Sequence, residues 1–384
     1  MRLTRIAALG AICALTAVSA IGCGGKSSDS TSGGETPLTI GMTVEKTGPL
    51  SVLAPAAEGA EAAVEYVNKK GGLNGKPVKL IVKDNASQSS RAIQTVNDLV
   101  SSGANIIIGP PFVQDCYAIT GAVAKAKVPE ICISPSDLTE AAPPYQYGIG
   151  AATSQEDQAV YKYFAEQGLK KVGTLAATDQ SGEQAEEWAK EFGEEEQGLS
   201  VDVEKTNPAA TTFKPQLQKL IAEGAEALYA TSCGGISITA ASEAVSLDFK
   251  GPVLLINCFA SEAVAGSIKG FVNGKIITMA PEFMLGAPYS GPRKEADETY
   301  EKEVGVNEIT VGDGWDAVLL AVKAAEEAGS TDPEALNETL EDNFEFTGVW
   351  AGGTFTKEDH RGQITDGIFE PAVFTKSGTL ERIK

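Results

Sequence analysis

The residues that could carry covalent or metal chemistry are few, because the 384-residue chain has six cysteines and one histidine. His360 lies in the polar run Lys357-Glu358-Asp359-His360-Arg361-Gly362, which predicts a solvated turn. A single histidine excludes a multi-histidine metal site and disfavours a Ser-His-Asp triad. We therefore expect no metal site, no cofactor and no histidine-based catalysis.

The first 23 residues predict export. Arg2 and Arg5 precede an uncharged run from Ile6 to Ile21, which is too short to span a bilayer comfortably and leads into Gly22-Cys23. A short positive segment, an apolar stretch and small residues before a cleavage point are typical of a secretory signal peptide. We expect an exported protein, located on the outer face of the cell membrane or in a periplasm.

Cys23 is a candidate lipid anchor. Ala20-Ile21-Gly22-Cys23 is similar to the bacterial lipoprotein box, in which cleavage falls before the cysteine and its sulfur is acylated. The next segment, 24–36, is rich in Gly, Ser and Thr and has no aliphatic residue, as in a flexible tether. We predict a signal peptide over 1–22 and a tether over 23–36; an ordinary secretory signal with an incidental cysteine is the alternative.

The composition of the remaining chain limits its number of domains and its possible partners. Residues 37–384 exceed one average domain, and a 42% share of hydrophobic residues suffices for substantial cores, so two domains are expected. The formal net charge of −21 makes nucleic acid and anionic headgroups poor partners for the body of the protein. We interpret this acidity as a contribution to solubility and predict no nucleic-acid partner.

The elements that must position any site alternate along the chain. Apolar spacing predicts strands at 38–42, 78–82, 106–108 and 129–134 and helices at 56–70, 90–102 and 115–126. The same alternation begins again after Gly150. It predicts helices at 155–167, 181–197, 212–223 and 235–247 and strands at 171–177, 199–205, 226–231, 252–257 and 274–280. Helices near 289–304, 314–328 and 333–343 follow, with strands near 347–356 and 367–375. This alternation predicts two doubly wound α/β units, each a parallel sheet covered on both faces.

Ligands of such sheets bind beyond the carboxyl ends of the strands. Six short segments rich in small polar residues follow predicted strands, at 47–51, 112–115, 134–137, 179–182, 232–235 and 257–261. Any one of them alone is better explained as a helix cap and a turn. Together they mark where a ligand must bind if there is one.

Four cysteines remain after loss of the signal peptide and lipidation of Cys23, namely Cys116, Cys132, Cys233 and Cys258. In an oxidising compartment they suggest two disulfides, and the count alone allows three pairings. A crossover helix begins at the carboxyl end of one strand, which places Cys116 in its first turn near the late-strand Cys132. Cys233 and Cys258 both follow strand ends, so we predict the bridges Cys116–Cys132 and Cys233–Cys258.

Several segments carry a family resemblance. They are Thr47–Leu50, Ala62–Lys76, Lys83–Ser87, Ile108–Pro110, Ile133–Ser136 and Asp316–Leu320. In order and spacing they resemble the type I periplasmic binding proteins of the leucine/isoleucine/valine-binding group, and the resemblance covers essentially everything after the tether. Gly71-Gly72-Leu73-Asn74-Gly75 is the most specific piece.

The resemblance implies two α/β lobes joined by three crossover strands, a ligand in the cleft between them, and a closure that a partner ABC permease senses. It places lobe 1 at 37–152 and 281–366 and lobe 2 at 153–280 and 367–384. The helices from 289 to 343 would then return to lobe 1. We expect a monomer that partners a small-molecule ligand, permease subunits and, through the lipid on Cys23, the membrane.

The expected binding residues depart from the family's usual set. In amino-acid-binding members a serine, an Ala-Thr pair, two lobe 2 tyrosines and an acidic residue hold the ligand, and the corresponding places here carry other residues. A branched-chain amino acid is therefore one candidate ligand beside other small polar or carboxylate-bearing metabolites. The predicted ligand-binding residues are Thr47, Gln114, Asp115, Ser134, Ser136 and Asp137 in lobe 1 and Asp179, Ser181, Ser232 and Asn257 in lobe 2.

Three functions are compatible with such a chain. The leading one is a solute-binding lipoprotein of an ABC importer, and the alternative is an extracellular ligand-sensing module that a signalling partner reads. An enzyme using Cys116 or Cys233 is disfavoured because His360 lies outside all six strand-end segments, which leaves either thiol without a nearby histidine base. We predict that the protein is not an enzyme.

Overall fold

The structure is a computed structural model that describes residues 36–133, 142–207, 210–232, 235–257, 260, 276–286, 289–306, 308–362, 369–375 and 380–383. The strands are β1 (Thr39–Val44), β2 (Lys79–Asp84), β3 (Ile106–Ile108), β4 (Glu130–Cys132), β5 (Gln146–Ile149), β6 (Lys171–Ala177), β7 (Ser200–Thr206), β8 (Ala227–Ala230), β9 (Val253–Leu255), β10 (Ile276–Pro281), β11 (Phe344–Thr347), β12 (Gly352–Phe355), β13 (Arg361–Gly362), β14 (Phe369–Phe374) and β15 (Leu380–Arg382). The helices are α1 (Ala56–Lys69), α2 (Ser89–Ser101), α3 (Val113–Ala126), α4 (Thr153–Glu166), α5 (Gln180–Trp188), α6 (Lys214–Ala222), α7 (Gly235–Ser246), α8 (Gly291–Glu303), α9 (Ile309–Ala328) and α10 (Pro333–Glu341).

Two sheets organise the chain, as the alternating pattern predicted. The first has the order β13-β5-β4-β3-β1-β2, and its described strand pairs are parallel. The second has the order β15-β14-β10-β9-β8-β6-β7 and is parallel from β10 to β7, with β14 and β15 antiparallel. We call the parts built on these sheets lobe 1 and lobe 2. The strand order reverses at β1 in lobe 1 and at β6 in lobe 2, which is where a doubly wound sheet opens a crevice.

Helices cover both faces of the lobe 1 sheet. On one face α2 and α3 bury Val96, Leu99 and Ile119 against Ile107 of β3. Alternate residues of the strands point to the opposite face, where α1 and α9 lie. This burial on both faces explains why the strands read as continuous aliphatic runs rather than as alternating patterns.

Helices α1 and α9 pack at very close range through two glycines. A Cβ atom on Gly59 would lie 1.9 Å from the carbonyl oxygen of Val311, and one on Gly314 would lie 1.9 Å from that of Ala56. Beside this contact the rings of Tyr66 and Trp315 are 5.3 Å apart. The long helix α9 therefore packs on lobe 1, although it follows lobe 2 strands β6 to β10 in the sequence.

The chain passes three times between the sheets. It leaves lobe 1 between β5 and α4, leaves lobe 2 after β10, and passes from β13 to β14 through residues outside the described ranges. The chain is thus a two-lobed α/β protein with three connections. The predicted lobe boundaries at 152, 280 and 366 stay predictions.

Two local predictions were wrong. The single strand expected near 347–356 is a hairpin of β11 and β12, because the carboxylate of Asp316 accepts hydrogen bonds from the backbone N–H groups of Val349, Trp350 and Ala351 at 2.8–3.0 Å and holds the chain in a turn. A side chain at Gly348 would lie 2.3 Å from that carboxylate.

The second correction concerns His360, which is 2% exposed rather than solvated. Pairing of β13 with β5 brings its ring onto Tyr147, with the ring centroids 4.3 Å apart. Its Nδ1 lies 3.0 Å from the carbonyl oxygen of Gln146. The polar neighbours in sequence gave no sign of this sheet-edge pairing.

Candidate functional site

The loop after β1 is fixed by the end of β2. The N–H and Oγ1 of Thr47 both donate to the carboxylate of Asp84, at 3.2 and 2.7 Å. Gly48 has a φ of +94°, and a side chain there would lie 2.6 Å from the Oγ of Ser87. The predicted residue Thr47 thus lies in a pre-formed, exposed turn at the carboxyl edge of lobe 1.

Asp115, another predicted residue, lies in the first turn of α3 and is buried in a polar cluster. Its carboxylate accepts from the Oγ of Ser89 at 2.5 Å and from the Nδ2 of Asn85 at 3.3 Å. Asn85 also donates to Oε1 of Glu45 at 2.8 Å. Asp115 is therefore held by protein groups and packs beside a second carboxyl group.

Glu45 is a residue that sequence reasoning missed. It directly follows β1 and is completely buried. Burial raises the pKa of Glu45 to about 8, partly offset by the Asn85 hydrogen bond and reinforced by the charge of Asp115. Burial also raises the pKa of Asp115. Two buried carboxyl groups this close favour sharing a proton at neutral pH.

Gln114 differs from its neighbour because its amide nitrogen is unpaired within the described part of the chain. Its Nε2 is buried and has no hydrogen-bond partner among the described residues. The N-cap of α3, Phe112, supplies no side-chain cap to the helix. An unpaired donor beside uncapped N–H groups favours an acceptor or an anion at this point.

In lobe 2, Asp179 and Ser181 form a helix cap. Oδ1 of Asp179 accepts from the N–H groups of Ser181 and Gly182 at 3.1 and 3.3 Å and from the Oγ of Ser181 at 2.6 Å. A Cβ on Gly182 would lie 1.8 Å from the carbonyl oxygen of Ala177, so α5 begins directly against the end of β6. The side chains of Asp179 and Ser181 bind each other and the α5 backbone.

Ser232 and Asn257 follow β8 and β9 and carry unpaired polar atoms. Asn257 is 2% exposed, and its N–H donates to Oε1 of Glu156 at 2.6 Å. The Nδ2 of Asn257 and the Oγ of Ser232 have no hydrogen-bond partner within the described part of the chain. Glu156, in the first turn of α4, was not singled out from the sequence, and burial raises its pKa well above the usual range.

An apolar contact joins the two lobes at this edge. Leu53, in the short turn after β1, belongs to the same buried cluster as Leu175 and Ile236 of lobe 2. Leu50 and Phe112 of lobe 1 also pack against that cluster. The lobes therefore touch where the carboxyl ends of their strands lie, and this contact was not predicted from the sequence.

Several predicted site residues lie outside the described residues. They are Ser134, Ser136, Asp137, Cys233 and Cys258. Their roles, including the Cys233–Cys258 bridge, stay predictions. The structure does contain the disulfide Cys116–Cys132, between the first turn of α3 and the end of β4.

Comparison with known proteins identifies the family. The model of the family described as periplasmic binding protein matches residues 37–368. The chain belongs to this family. It is a binding protein and not an enzyme, as the sequence predicted. No helix of the described residues is long and apolar enough to cross a membrane.

Two proteins that are similar in sequence to this chain are named as amino-acid-binding proteins. A Leu/Ile/Val-binding protein of Rhizobium johnstonii is 34% identical over 74 residues, which span 19% of this chain and 20% of that protein. A leucine-, isoleucine-, valine-, threonine- and alanine-binding protein of Pseudomonas aeruginosa is 24% identical over 361 residues, which span 90% of this chain and 92% of that protein.

Solved structures share the fold. A leucine-binding protein from Thermotoga maritima has a TM-score of 0.79 at 18% identity, covering 90% of this chain and 98% of that one. The substrate-binding protein of a branched-chain amino acid transporter from Streptococcus pneumoniae, in complex with isoleucine, has a TM-score of 0.77 at 20% identity, covering 91% of this chain and 100% of that one. The resemblance inferred from the sequence is confirmed at the level of family and fold.

Proposed function

We propose that this chain is the solute-binding component of an ABC importer, which captures a small ligand between the lobes and delivers it to a permease. The observation that carries the proposal is the contact of the lobes at the carboxyl ends of their parallel strands, with unpaired polar groups on both sides. Closure can respond to a ligand only if both lobes bind it, because a ligand of one lobe alone has no preference for the closed state.

The unpaired groups indicate the ligand chemistry. Gln114 of lobe 1 and Asn257 of lobe 2 offer amide N–H donors, and Ser232 offers a hydroxyl. Donors in these positions suit a carboxylate or carbonyl oxygen, which would satisfy groups that otherwise stay buried without partners. A small carboxylate-bearing ligand, such as an amino acid or a related metabolite, therefore fits best.

The partner of a ligand ammonium group is a separate question. Asp179 caps α5, and Asp115 is held by Ser89 and Asn85, so both carboxylates already accept hydrogen bonds. Asp137 remains our predicted partner for a positive charge. If the ligand carries an ammonium, Asp137→Ala and Asp137→Asn should both lose most of the affinity.

The membrane anchor belongs to the same proposal. Cleavage before Cys23 and acylation of its sulfur would hold the protein at the outer face of the membrane, with 23–36 as a tether. A monomer on such a tether can present either lobe to a permease.

A thermal-shift screen tests the proposal. Purified protein should be heated with amino acids, small amides and aromatic acids, each at saturating concentration. A ligand of the folded state raises the melting temperature by mass action, and it stabilises the fold by about 2.7 kcal/mol at a hundred times its dissociation constant. Saturable stabilisation by one chemical group of compounds is expected; absence of any shift across the whole set would contradict solute binding.

A further inference from the structure

A second polar cluster lies in lobe 1 around the disulfide. Glu130 and Cys132 are two residues apart on β4, so their side chains leave the same face of the sheet. Cys116 lies in the first turn of α3, which covers that face. The two sulfurs and a carboxylate oxygen of Glu130 all lie within 4.8 Å of one another, and all three residues are completely buried.

The burial of Glu130 is not explained by its protein surroundings. Neither carboxylate oxygen has a hydrogen-bond partner of acceptable geometry among the described residues. Gln146 is its neighbour across the β4–β5 pair; one N–H of its Nε2 donates to the carbonyl oxygen of Cys116 at 2.8 Å and its Oε1 accepts from Thr120 at 2.7 Å, which leaves a single N–H that can reach Glu130. A buried carboxyl group with at most one amide contact is costly, and a bound ion or a redox role is a usual reason for one.

Reduction of the disulfide would turn this cluster into a set of possible metal ligands. A phosphine supplies two electrons and is oxidised to its oxide with the oxygen of water, and the two protons of that water complete the conversion of the disulfide into two thiols. Two thiolates and a carboxylate are ligands that Zn²⁺ and Cd²⁺ accept, and loss of three protons on metal binding leaves a site with one net negative charge. Zn–S bonds of about 2.3 Å in a tetrahedral site need donor separations of roughly 3.5–4 Å, which small shifts from the present geometry would provide.

We propose that the reduced form of this chain binds a thiophilic divalent cation between Cys116, Cys132 and Glu130. The disulfide and the metal are alternative occupants of the same place, so the oxidised chain binds no cation there. This inference does not depend on the proposed solute ligand.

Cadmium titration of the full chain tests the inference. The protein is reduced with a phosphine and titrated with Cd²⁺, and the ultraviolet thiolate-to-cadmium charge-transfer band is recorded. The titration uses the Cys233→Ser/Cys258→Ser background, because the phosphine would also reduce the predicted Cys233–Cys258 bridge. We expect one equivalent bound after reduction in this background, and no band before reduction. Adding Cys116→Ser and Cys132→Ser to the same background should abolish the band.

Glu130→Gln separates a three-ligand site from simple binding by two thiols. It keeps both cysteines and should weaken Cd²⁺ binding by about tenfold to a hundredfold. Equal affinity in Glu130→Gln, or a band that survives when Cys116→Ser and Cys132→Ser are added to the Cys233→Ser/Cys258→Ser background, would overturn the proposal. Circular dichroism is recorded in parallel: if reduction unfolds the chain, Cd²⁺ should refold it, and a reduced chain that shows neither band nor refolding also refutes the site.

Discussion

At the scale of single residues, buried carboxyl groups make the stability of this protein depend on pH. Glu45 has an ordinary pKa of 4.5 and a pKa of about 8 in the folded state, because its burial disfavours the charge. The folded chain therefore holds a proton that the unfolded chain has lost between these two values. The contribution of Glu45 to the free energy of unfolding is fully present below pH 4.5 and is lost as the pH rises towards 8. Above about pH 8 it does not change further.

Glu45→Gln tests that behaviour. Glutamine mimics the protonated side chain and keeps an oxygen for the Asn85 amide, so the variant should be more stable than the parent at pH 8 by on the order of 3 kcal/mol. The difference between the two denaturation profiles should vanish near pH 4.5. Asp115→Asn, which removes the second carboxyl group, should flatten the same part of the profile. Parallel profiles for Glu45→Gln and the parent would contradict a buried proton at this pair.

The carboxylate of Asp316 holds the turn between β11 and β12, because it accepts hydrogen bonds from three backbone N–H groups of that turn. Asp316→Ala would leave the N–H groups of Val349, Trp350 and Ala351 buried without partners, so we expect a loss of about 3 kcal/mol or more in the free energy of unfolding. Asp342→Ala, at an exposed position of the same region, should change it by less than about 0.5 kcal/mol. Urea denaturation measures both, and similar stability of the two variants would show that the turn does not depend on Asp316.

At the scale of elements, the packing of α1 on α9 depends on glycine rather than on large apolar side chains. Gly59→Ala should destabilise the protein by about 1–3 kcal/mol despite the better helix propensity of alanine, because its Cβ would overlap the Val311 carbonyl. A Cβ on Gly121 in α3 would meet no described atom within 4 Å, so Gly121→Ala should stabilise by about 0.5–1 kcal/mol. Thermal unfolding of the pair gives both values. The same sign for both substitutions would rule out close packing as the cause.

The elements also show what the sequence could and could not predict. Periodicity predicted most helices and strands and therefore the polar segments at the strand ends, because burial on both faces leaves a clear local pattern. It missed Glu45 and Glu156, whose importance comes from partners as distant as Asn257, 101 positions along the chain. It also misjudged His360, since its surroundings are set by pairing of β13 with β5 and not by its neighbours in sequence.

At the scale of the whole molecule, the predicted anchor can be tested directly. Cys23→Ala should release the protein from membranes almost completely, because acyl chains on this residue would supply the attachment and the described helices include none able to cross a bilayer. Membrane fractionation of cells producing the two forms measures this. A variant that still sediments with membranes would exclude the lipoprotein interpretation.

Ligand binding between the lobes is the central claim, and calorimetric titration of a lobe 1 and a lobe 2 variant tests it most directly. The compound that gives the largest thermal shift is titrated into the parent, Gln114→Ala and Asn257→Ala, whose amides lie on opposite lobes. A ligand held by both lobes should lose about tenfold or more in affinity with each substitution, because each removes one hydrogen bond to a buried acceptor. Loss in only one variant, or in neither, would contradict a ligand held between the lobes.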